Sequence, residues 1–257
     1  MTAGARAVCT CAFSDPPSRV WGSVWALAPG GAFATRVGDS DTFAVLGAGL
    51  DAAAFSATLE ATGPDSDWAL GGDGLQLTVS ESAEPPEADG DPAGFAQLCR
   101  VSGRFGLAGT QYEVSCLGYR AVRELGGPID GCESIRAVAA LFEPSEAIEV
   151  LAVRPRRANG HASDAIDAVI IEQDSMVLVD DPRLSTTYAD DGHPTRAALE
   201  LWVGDEQGEH RLIRAAGEAL GAHATGSLGE LNARVDVFGW HSRGRDGIGA
   251  YLLAQRP

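Results

Sequence analysis

The sequence predicts an all-β protein with few short helices. Short segments that alternate apolar and polar residues recur along the 257 residues, and turn signals interrupt them roughly every ten to fifteen residues. Gly, Pro and Asp form these turns, in stretches such as APGG and GGDG, because they supply the backbone geometry that tight turns need. The pattern is typical of antiparallel β-sandwiches and barrels.

Strands dominate the first half of the chain. They are predicted near residues 7–13, 20–27, 31–37, 42–48, 56–62, 74–81, 95–107 and 110–122. The last two are predicted to form a hairpin that turns at Ala108 and Gly109. Between them and the preceding strand, the acidic stretch ESAEPPEADGDPAG, residues 81–94, has no apolar period and is predicted to be a loop.

A domain boundary is predicted within ELGGPIDGCE, residues 124–133, where glycines and a proline interrupt a strand-rich chain. The predicted domains are residues 1–125 and 126–257, two antiparallel barrel or sandwich halves packed together. Strands of the second half are predicted near residues 134–142, 146–154, 164–172, 175–180, 184–188, 196–203, 209–215, 222–227, 233–241 and 248–256.

Two segments of the second half depart from simple alternation of apolar and polar residues. The strands SIRAVAALF and AIEVLAV are apolar on nearly both faces, so we expect them at the contact between the halves. The segment HRLIRAAGEALGAH, residues 210–223, has a short helix as its alternative, since Leu212, Ala215 and Leu220 fall on one helical face.

Composition excludes several classes of function. The formal charge of −17 opposes binding to nucleic acid or to anionic headgroups. All 19 basic residues are Arg, so lysine Schiff bases, ordinary pyridoxal phosphate chemistry and a Walker lysine are excluded. The apolar stretch at the start is too short for a signal peptide, and no apolar run could span a membrane. We therefore expect a soluble, cytoplasmic protein with an unknown oligomeric state.

No cofactor or metal site is predicted. The five cysteines have no disulfide or zinc spacing; Cys9 and Cys11 are interpreted as core residues, as free cysteines commonly pack like small hydrophobes. The five histidines show neither HxH nor HExxH spacing. The stretch YADDGH, residues 188–193, faintly suggests a cation site, but a solvated turn is the preferred interpretation.

The best acid/base candidate is His241. It follows Trp240 at the end of a predicted strand and precedes SRGRDG, in which Asp246 could orient its imidazole. His241 and Asp246 are therefore the predicted catalytic pair if the protein is an enzyme, with Glu149 as a further candidate acid.

Motifs in the chain resemble a known family. The hairpin pattern V-x-G-x-F-x-L-x-G-x-x-Y running into LGYR, and the closing GRDGIGAYLLAQR, resemble the two-domain lipocalin-like proteins related to carotenoid hydratase (hydroxyneurosporene synthase). The resemblance implies two twisted antiparallel barrels with an apolar cavity for isoprenoid or lipid-like molecules. Where many such proteins carry an Arg-Asp-His-Ser-Trp-Gly-like run, this chain reads YRAVRELGG, so only Arg120 and Gly126 could carry over.

Aromatic side chains are the candidate walls of an apolar pocket, because they combine large area with a polar edge. An Arg at the mouth could hold a polar head group. Arg123 is a second such Arg. The predicted ligand-binding residues are Trp21, Trp25, Tyr112, Tyr119, Arg120, Trp202, Trp240 and Tyr251.

Three functions remain open. The first is binding of a hydrophobic small molecule, such as an isoprenoid, a lipid or a polyketide-like compound, in an apolar barrel cavity. The second is an enzyme that hydrates, isomerises or cyclises such a ligand by acid/base chemistry. The third is a structural or partner-binding β protein whose interior is filled by side chains. An ionisable side chain inside the cavity would favour the second.

Overall fold

The computed structural model describes the strands of the first half of the chain and nearly all of the second half. The described residues are 7–15, 19–27, 33–39, 44–47, 55–56, 58–60, 68–72, 75–81, 94–107, 110–124, 131–142, 145–158, 160–172, 175–204, 210–228 and 230–257. Before residue 131, side chains are described only at residues 78, 98–100, 102–104 and 118.

The strands of the first half form one 10-stranded sheet. They are β1 (Ala7–Asp15), β2 (Arg19–Leu27), β3 (Phe33–Asp39), β4 (Ala44–Gly47), β5 (Phe55–Ser56), β6 (Thr58–Glu60), β7 (Trp68–Gly72), β8 (Leu75–Glu81), β9 (Gly94–Leu107) and β10 (Thr110–Glu124). Their order is β5-β4-β3-β2-β1-β10-β9-β8-β7-β6. Strands β1 and β10 pair in parallel, and the other neighbours pair antiparallel.

The strands of the second half form a 9-stranded sheet. They are β11 (Cys132–Phe142), β12 (Glu146–Pro155), β13 (Ala165–Glu172), β14 (Ser175–Leu178), β15 (Asp181–Tyr188), β16 (Pro194–Gly204), β17 (His210–Leu228), β18 (Leu231–Ser242) and β19 (Arg245–Gln255), with a short 3-10 turn at His161–Ser163. Their order is β14-β13-β12-β11-β19-β18-β17-β16-β15, and every pair is antiparallel.

Both sheets curl until their edges meet. The edges of the second sheet are β14 and β15, which follow each other in the chain. Counting strand directions from β11 and from β19 shows that β14 and β15 run the same way, so the chain does not turn between them. Instead, the Val179 N–H donates to the Ala168 carbonyl at 3.1 Å, and the Asp180 N–H donates to the Trp202 carbonyl at 2.9 Å. The chain thus changes partner from β13 to β16 and closes the ring.

The first sheet has the same arrangement. Its edges, β5 and β6, are separated in the chain by Ala57 alone, and they run in the same direction by the same count. A single residue spans only about 3.5 Å, so the two edges lie next to each other. Each half of the chain is therefore a strand meander in which one interrupted strand joins both edges.

Large apolar side chains fill the ring of the second sheet. Phe142, Phe238, Trp240 and Tyr251 are its largest fully buried side chains, and they belong to one core cluster with residues from β11 through β19. Phe238 stacks on Trp240 with ring centroids 5.7 Å apart and on Tyr251 at 5.4 Å. The middle of this barrel is a packed core, as small barrels often are.

A second cluster lies on the outer face of β11, β12, β13, β18 and β19. It contains Ile135, Val235, Val237 and Leu252 of those strands, together with Leu98 of β9. Strands β11 and β12 are therefore buried on both faces, which agrees with their double-sided apolar sequences. The contact of Leu98 with this cluster brings β9 of the first sheet against the second.

Most strand predictions are confirmed, including the hairpin at Ala108–Gly109, where Leu107 pairs with Thr110. The helix alternative for 210–223 is wrong, because these residues lie in β17 and pair with β16 and β18. Strand β7 was not predicted. The switch between sheets falls between Glu124 and Cys132, but the division into domains 1–125 and 126–257 stays a prediction.

Gly249 permits the close approach of β19 to β11. A Cβ added at this position would run into the Ala139 carbonyl oxygen of the neighbouring strand. We expect Gly249→Ala to lower the free energy of unfolding by about 1–3 kcal/mol or more, as overpacking does. Urea unfolding measures this change.

Gly239→Ala is the matched control. The nearest atom to its added Cβ is Leu220 Cδ2, the end of a flexible side chain, at 3.3 Å. An equal loss of stability in both variants would contradict the close approach of β19 to β11.

Candidate functional site

One end of the second barrel carries a pocket that is open to solvent, here called the mouth pocket. Its volume is about 440 Å³, within the range of small-molecule sites. It lies between the β15–β16 turn and the ends of β17, β18 and β19. Its lining residues are Asp191, Gly192, His193, Thr225, Asn232, Ala233, Arg234, Leu253 and Gln255.

Strand register explains why these residues meet. Thr225 of β17 pairs with Arg234 of β18, and Arg234 pairs with Leu253 of β19. Leu253 pairs in turn with Arg136 of β11. Residues opposite each other in a sheet point to the same face, so this row crosses the inner face of the barrel. Arg136 therefore lies one strand beyond the edge of the mouth pocket.

Arg136 belongs to a buried ion network. Its Nη2 donates to Asp164 Oδ2 at 2.6 Å, while Arg154 Nε donates to Asp164 Oδ1 at 2.7 Å. The side chains of Arg136 and Asp164 are only 4% and 1% exposed. The hydrogen bond from Arg154 to Asp164 raises the pKa of that guanidinium. One carboxylate thus holds two arginines at this end of the barrel.

Arg234 forms a second ion pair beside the first. Its Nε donates to Asp236 Oδ2 at 2.8 Å, and its Nη2 donates to Oδ1 at 2.8 Å. Asp236 is 3% exposed, but Arg234 is 24% exposed and reaches the mouth pocket. The three arginines and two aspartates of these two ionic clusters are here called the arginine network.

A buried tyrosine lies next to the arginine network. Tyr251 pairs in register with Asp236 and with Val138, and its hydroxyl is 2.7 Å from Thr186 Oγ1 of β15. Burial raises the pKa of Tyr251 above its ordinary range, and the neighbouring Tyr188 adds to that shift. The phenol stays neutral and links β19 to β15 across the ring.

The rim of the mouth pocket is the turn between β15 and β16. Gly192 adopts φ +83° there, a left-handed conformation that favours glycine. The Asp191 carboxylate accepts the backbone N–H of His193 and contacts its ring Nδ1. The backbone hydrogen bond from His193 is the main reason that the pKa of Asp191 is lowered. This turn is the predicted YADDGH loop, and it is ordered by its own side chains.

The opposite end of the barrel carries a different charge cluster. Glu146 is buried and pairs with Arg243 and Arg245, while Arg243 also bonds Glu172 at 2.9 Å. Arg245 lies over the Phe142 ring, 5.8 Å from its centroid. The apolar core is thus closed by ionic groups at both ends.

The predicted aromatic residues fall in three places. Tyr251 and Trp240 lie inside the second barrel, where Tyr251 is next to the arginine network and Trp240 is packed in the core. Trp202 lies on the outer face, because its neighbours Leu201 and Val203 belong to the interior cluster. The side chains of Trp21, Trp25, Tyr112, Tyr119 and Arg120, and also Arg123, lie outside the described residues.

The predicted catalytic pair lies at the surface. His241 Nδ1 is 2.9 Å from Asp246 Oδ1, and the two side chains are 60% and 94% exposed. His241 is seven residues from Arg234 along β18, a separation of roughly 23 Å at the usual strand rise. The pair cannot act on a molecule in the mouth pocket, so a catalytic role stays a prediction that needs a substrate at the outer surface.

Among the described residues, no group of three His, Cys, Asp or Glu is arranged to hold a metal ion. Cys99 and Cys132 are buried, whereas the side chains of Cys9 and Cys11 lie outside the described residues. Glu149 is buried on the outer face of β12. Within the described part of the chain, no helix has the length and apolar character needed to cross a bilayer.

Sequence reasoning missed the arginine network. A signal was present, since Arg136 interrupts the apolar stretch SIRAVAAL, and Arg234 and Asp236 alternate with apolar residues in NARVDVFGW. Alternation normally places such charges on a solvated face. Only closure of the sheet shows that this face is the inside of a barrel.

The closed, tandem strand meanders define an all-β protein built from two barrel-like sheets. A crystal structure from Nitrosomonas europaea with a provisional AttH assignment is similar, with a TM-score of 0.53 and 12% sequence identity, over 94% of this chain and 88% of that one. At this identity the similarity establishes the fold alone. No family profile and no curated protein matches the sequence, and the relation to carotenoid hydratase stays a prediction.

Asp164 is the carboxylate on which two arginines depend. Asp164→Asn leaves Arg136 and Arg154 without their shared counter-charge, so we expect a loss of about 3–5 kcal/mol in the free energy of unfolding. Asp181→Asn is the control. Both side chains of the Asp181–Arg183 ion pair are exposed, so this substitution should not change stability measurably. Similar urea midpoints for both variants would refute the structural role of Asp164.

Tyr251 should make folding sensitive to alkali. Because its pKa is raised in the folded state, its contribution to stability is complete below the unfolded phenol pKa of about 10 and is lost as pH rises further. Tyr251→Phe removes the hydrogen bond to Thr186 and should therefore lower the free energy of unfolding by about 1 kcal/mol at neutral pH. It should then lose less additional stability than the wild type between pH 9 and 11.

Thr186→Val is the control for this comparison. It removes the same hydrogen bond but keeps the buried phenol, so its alkaline loss should follow the wild type. Thermal unfolding at several pH values measures all three proteins. Parallel curves for the wild type and Tyr251→Phe would show that Tyr251 does not cause the alkaline loss.

Proposed function

We propose that the protein binds a hydrophobic small molecule with a polar end, and that the polar end is held in the mouth pocket. The observation that carries this proposal is a pocket of about 440 Å³ at the end of a closed barrel, with buried polar groups at its base. Ligand sites of barrels commonly lie at the barrel mouth. A lipocalin-like fold also supports a binding role.

The packed core of the second barrel limits where a ligand can bind. The core below the mouth pocket is occupied by Tyr251, Phe238 and Trp240, so an apolar chain does not thread through the second barrel. Leu253 offers apolar contact within the pocket. An isoprenoid, lipid or polyketide-like ligand would therefore place its polar end here and its apolar part along the pocket wall.

A partner-binding β protein is the second candidate. The filled core of the second barrel favours it, since such an interior stabilises the fold without needing a ligand. The enzymatic alternative rests on the exposed pair His241 and Asp246. These alternatives differ from the first in needing no molecule in the mouth pocket.

Native mass spectrometry tests the proposal. The protein is incubated with a lipid extract of its host, and bound molecules are identified after extraction. We expect a stoichiometric adduct in the wild type. Thr225→Trp should abolish it, because Thr225 lines the mouth pocket and an indole there fills the space.

Ala216→Trp is the matched control. Ala216 lies on the same strand and is exposed, but it does not line the pocket, so the adduct should persist. An unliganded mass at all lipid concentrations would refute the binding function and favour the partner-binding alternative. Equal loss in both variants would refute the mouth pocket as the site.

A further inference from the structure

We infer that the mouth pocket selects ligands whose polar end is a carboxylate, and that Arg234 is the residue that contacts it. This inference rests on the proposed binding function. It assigns the chemical class of the head group and adds a specificity-determining residue to the pocket.

The Arg234–Asp236 ion pair turns its positive member towards the pocket. Arg234 lines the mouth pocket and is 24% exposed, whereas Asp236 is 3% exposed and is not one of the lining residues. A molecule in the pocket therefore meets the guanidinium and not the carboxylate, and a guanidinium favours an anionic head group.

Arg234 keeps hydrogen-bond donors that its ion pair does not use. A guanidinium has five N–H donors. The bonds to Asp236 use Nε and Nη2, and among the described residues no acceptor is recorded for Nη1. Since Arg234 is 24% exposed and lines the pocket, a ligand carboxylate can receive a charge-assisted hydrogen bond there.

The side chains around Arg234 also favour an anion. Thr225, Asn232 and Gln255 are neutral side chains that can donate hydrogen bonds to an anion. The one carboxylate of the lining, Asp191, is at the exposed rim and is already engaged by His193. A cationic head group would find both buried acids paired with arginine, so the pocket favours an anion.

The experiment compares three probes of equal chain length by isothermal titration calorimetry: decanoate, decanol and decyltrimethylammonium. We expect decanoate to bind the wild type about tenfold or more tightly than decanol, since hydrogen bonds to charged groups are stronger than neutral ones. Decyltrimethylammonium should bind more weakly than decanol. The preference for decanoate should shrink as salt is raised.

Two variants test the assignment of Arg234. The double variant Arg234→Gln with Asp236→Asn removes the pair without leaving a lone buried charge, and the preference for decanoate should fall to within about twofold. Asn232→Asp leaves the buried pair intact and adds a negative charge to the exposed edge of the pocket. It should likewise lower decanoate affinity without changing decanol affinity. Ala216→Asp adds the same charge away from the pocket and should change neither.

The outcomes separate the two proposals. Equal binding of decanoate and decanol to the wild type would overturn the carboxylate inference and leave the binding function standing. No binding of any probe, together with an unliganded mass in lipid extract, would overturn both. A full decanoate preference in the double variant, or in Asn232→Asp if the double variant does not fold, would overturn the role of Arg234.

Discussion

Two backbone hydrogen bonds decide the shape of the second half of this protein. An open sheet of nine strands would leave the backbone N–H and C=O groups of β14 and β15 unpaired at its edges. Instead, the Val179 amide bonds to Ala168 of β13 and the Asp180 amide bonds to Trp202 of β16, so the two edges are joined. The side chain of Asp180 reinforces this junction, because it accepts the Gly204 N–H at 2.8 Å. Once the ring is closed, alternate residues of every strand are turned inwards.

Closure also explains where the charged residues lie. Strand ends reach solvent at the two rims of a barrel, so an arginine on an inward row near a rim can be partly hydrated while its carboxylate partner is buried. The Asp164 and Asp236 pairs occupy one rim, and the Glu146 cluster occupies the other. Between them lies an apolar core of stacked aromatic rings. The ionic chemistry of the barrel is therefore concentrated at its ends, and the mouth pocket lies at one of them.

Local patterns in the sequence predict the strands well but the site poorly. Strands such as β9, β10, β11 and β12 follow from period-2 alternation and from turn residues, which are local signals. The segment containing Leu212 and Leu220 fits both a helix and a strand, and its pairing with β16 and β18 decides in favour of the strand. Strand β7 is short and rich in glycine, so its alternation is weak.

The site depends on information that no local pattern contains. Arg136 and Asp164 are 28 residues apart in the chain, and only the pairing of β11, β12 and β13 brings them together. Trp240 and Tyr251 were predicted to line a pocket because aromatic residues do so often, and the structure places both inside the barrel. Size and polarity do not distinguish a side chain that fills a core from one that borders a ligand. His241 and Asp246 do meet, as their spacing suggested, but on the outside.

The direction in which the first and last strands pair has a consequence for modularity. In the second half β11 and β19 are antiparallel, and Ser134 lies opposite Gln255, so the chain enters and leaves this barrel at the same end, about one strand spacing apart. Such a unit could be inserted into a surface turn of a host protein without separating the two ends of the turn. In the first half β1 and β10 are parallel, so entry and exit lie at opposite ends. That half is suited to a linear array of domains, because the next domain can follow at the end opposite the entry.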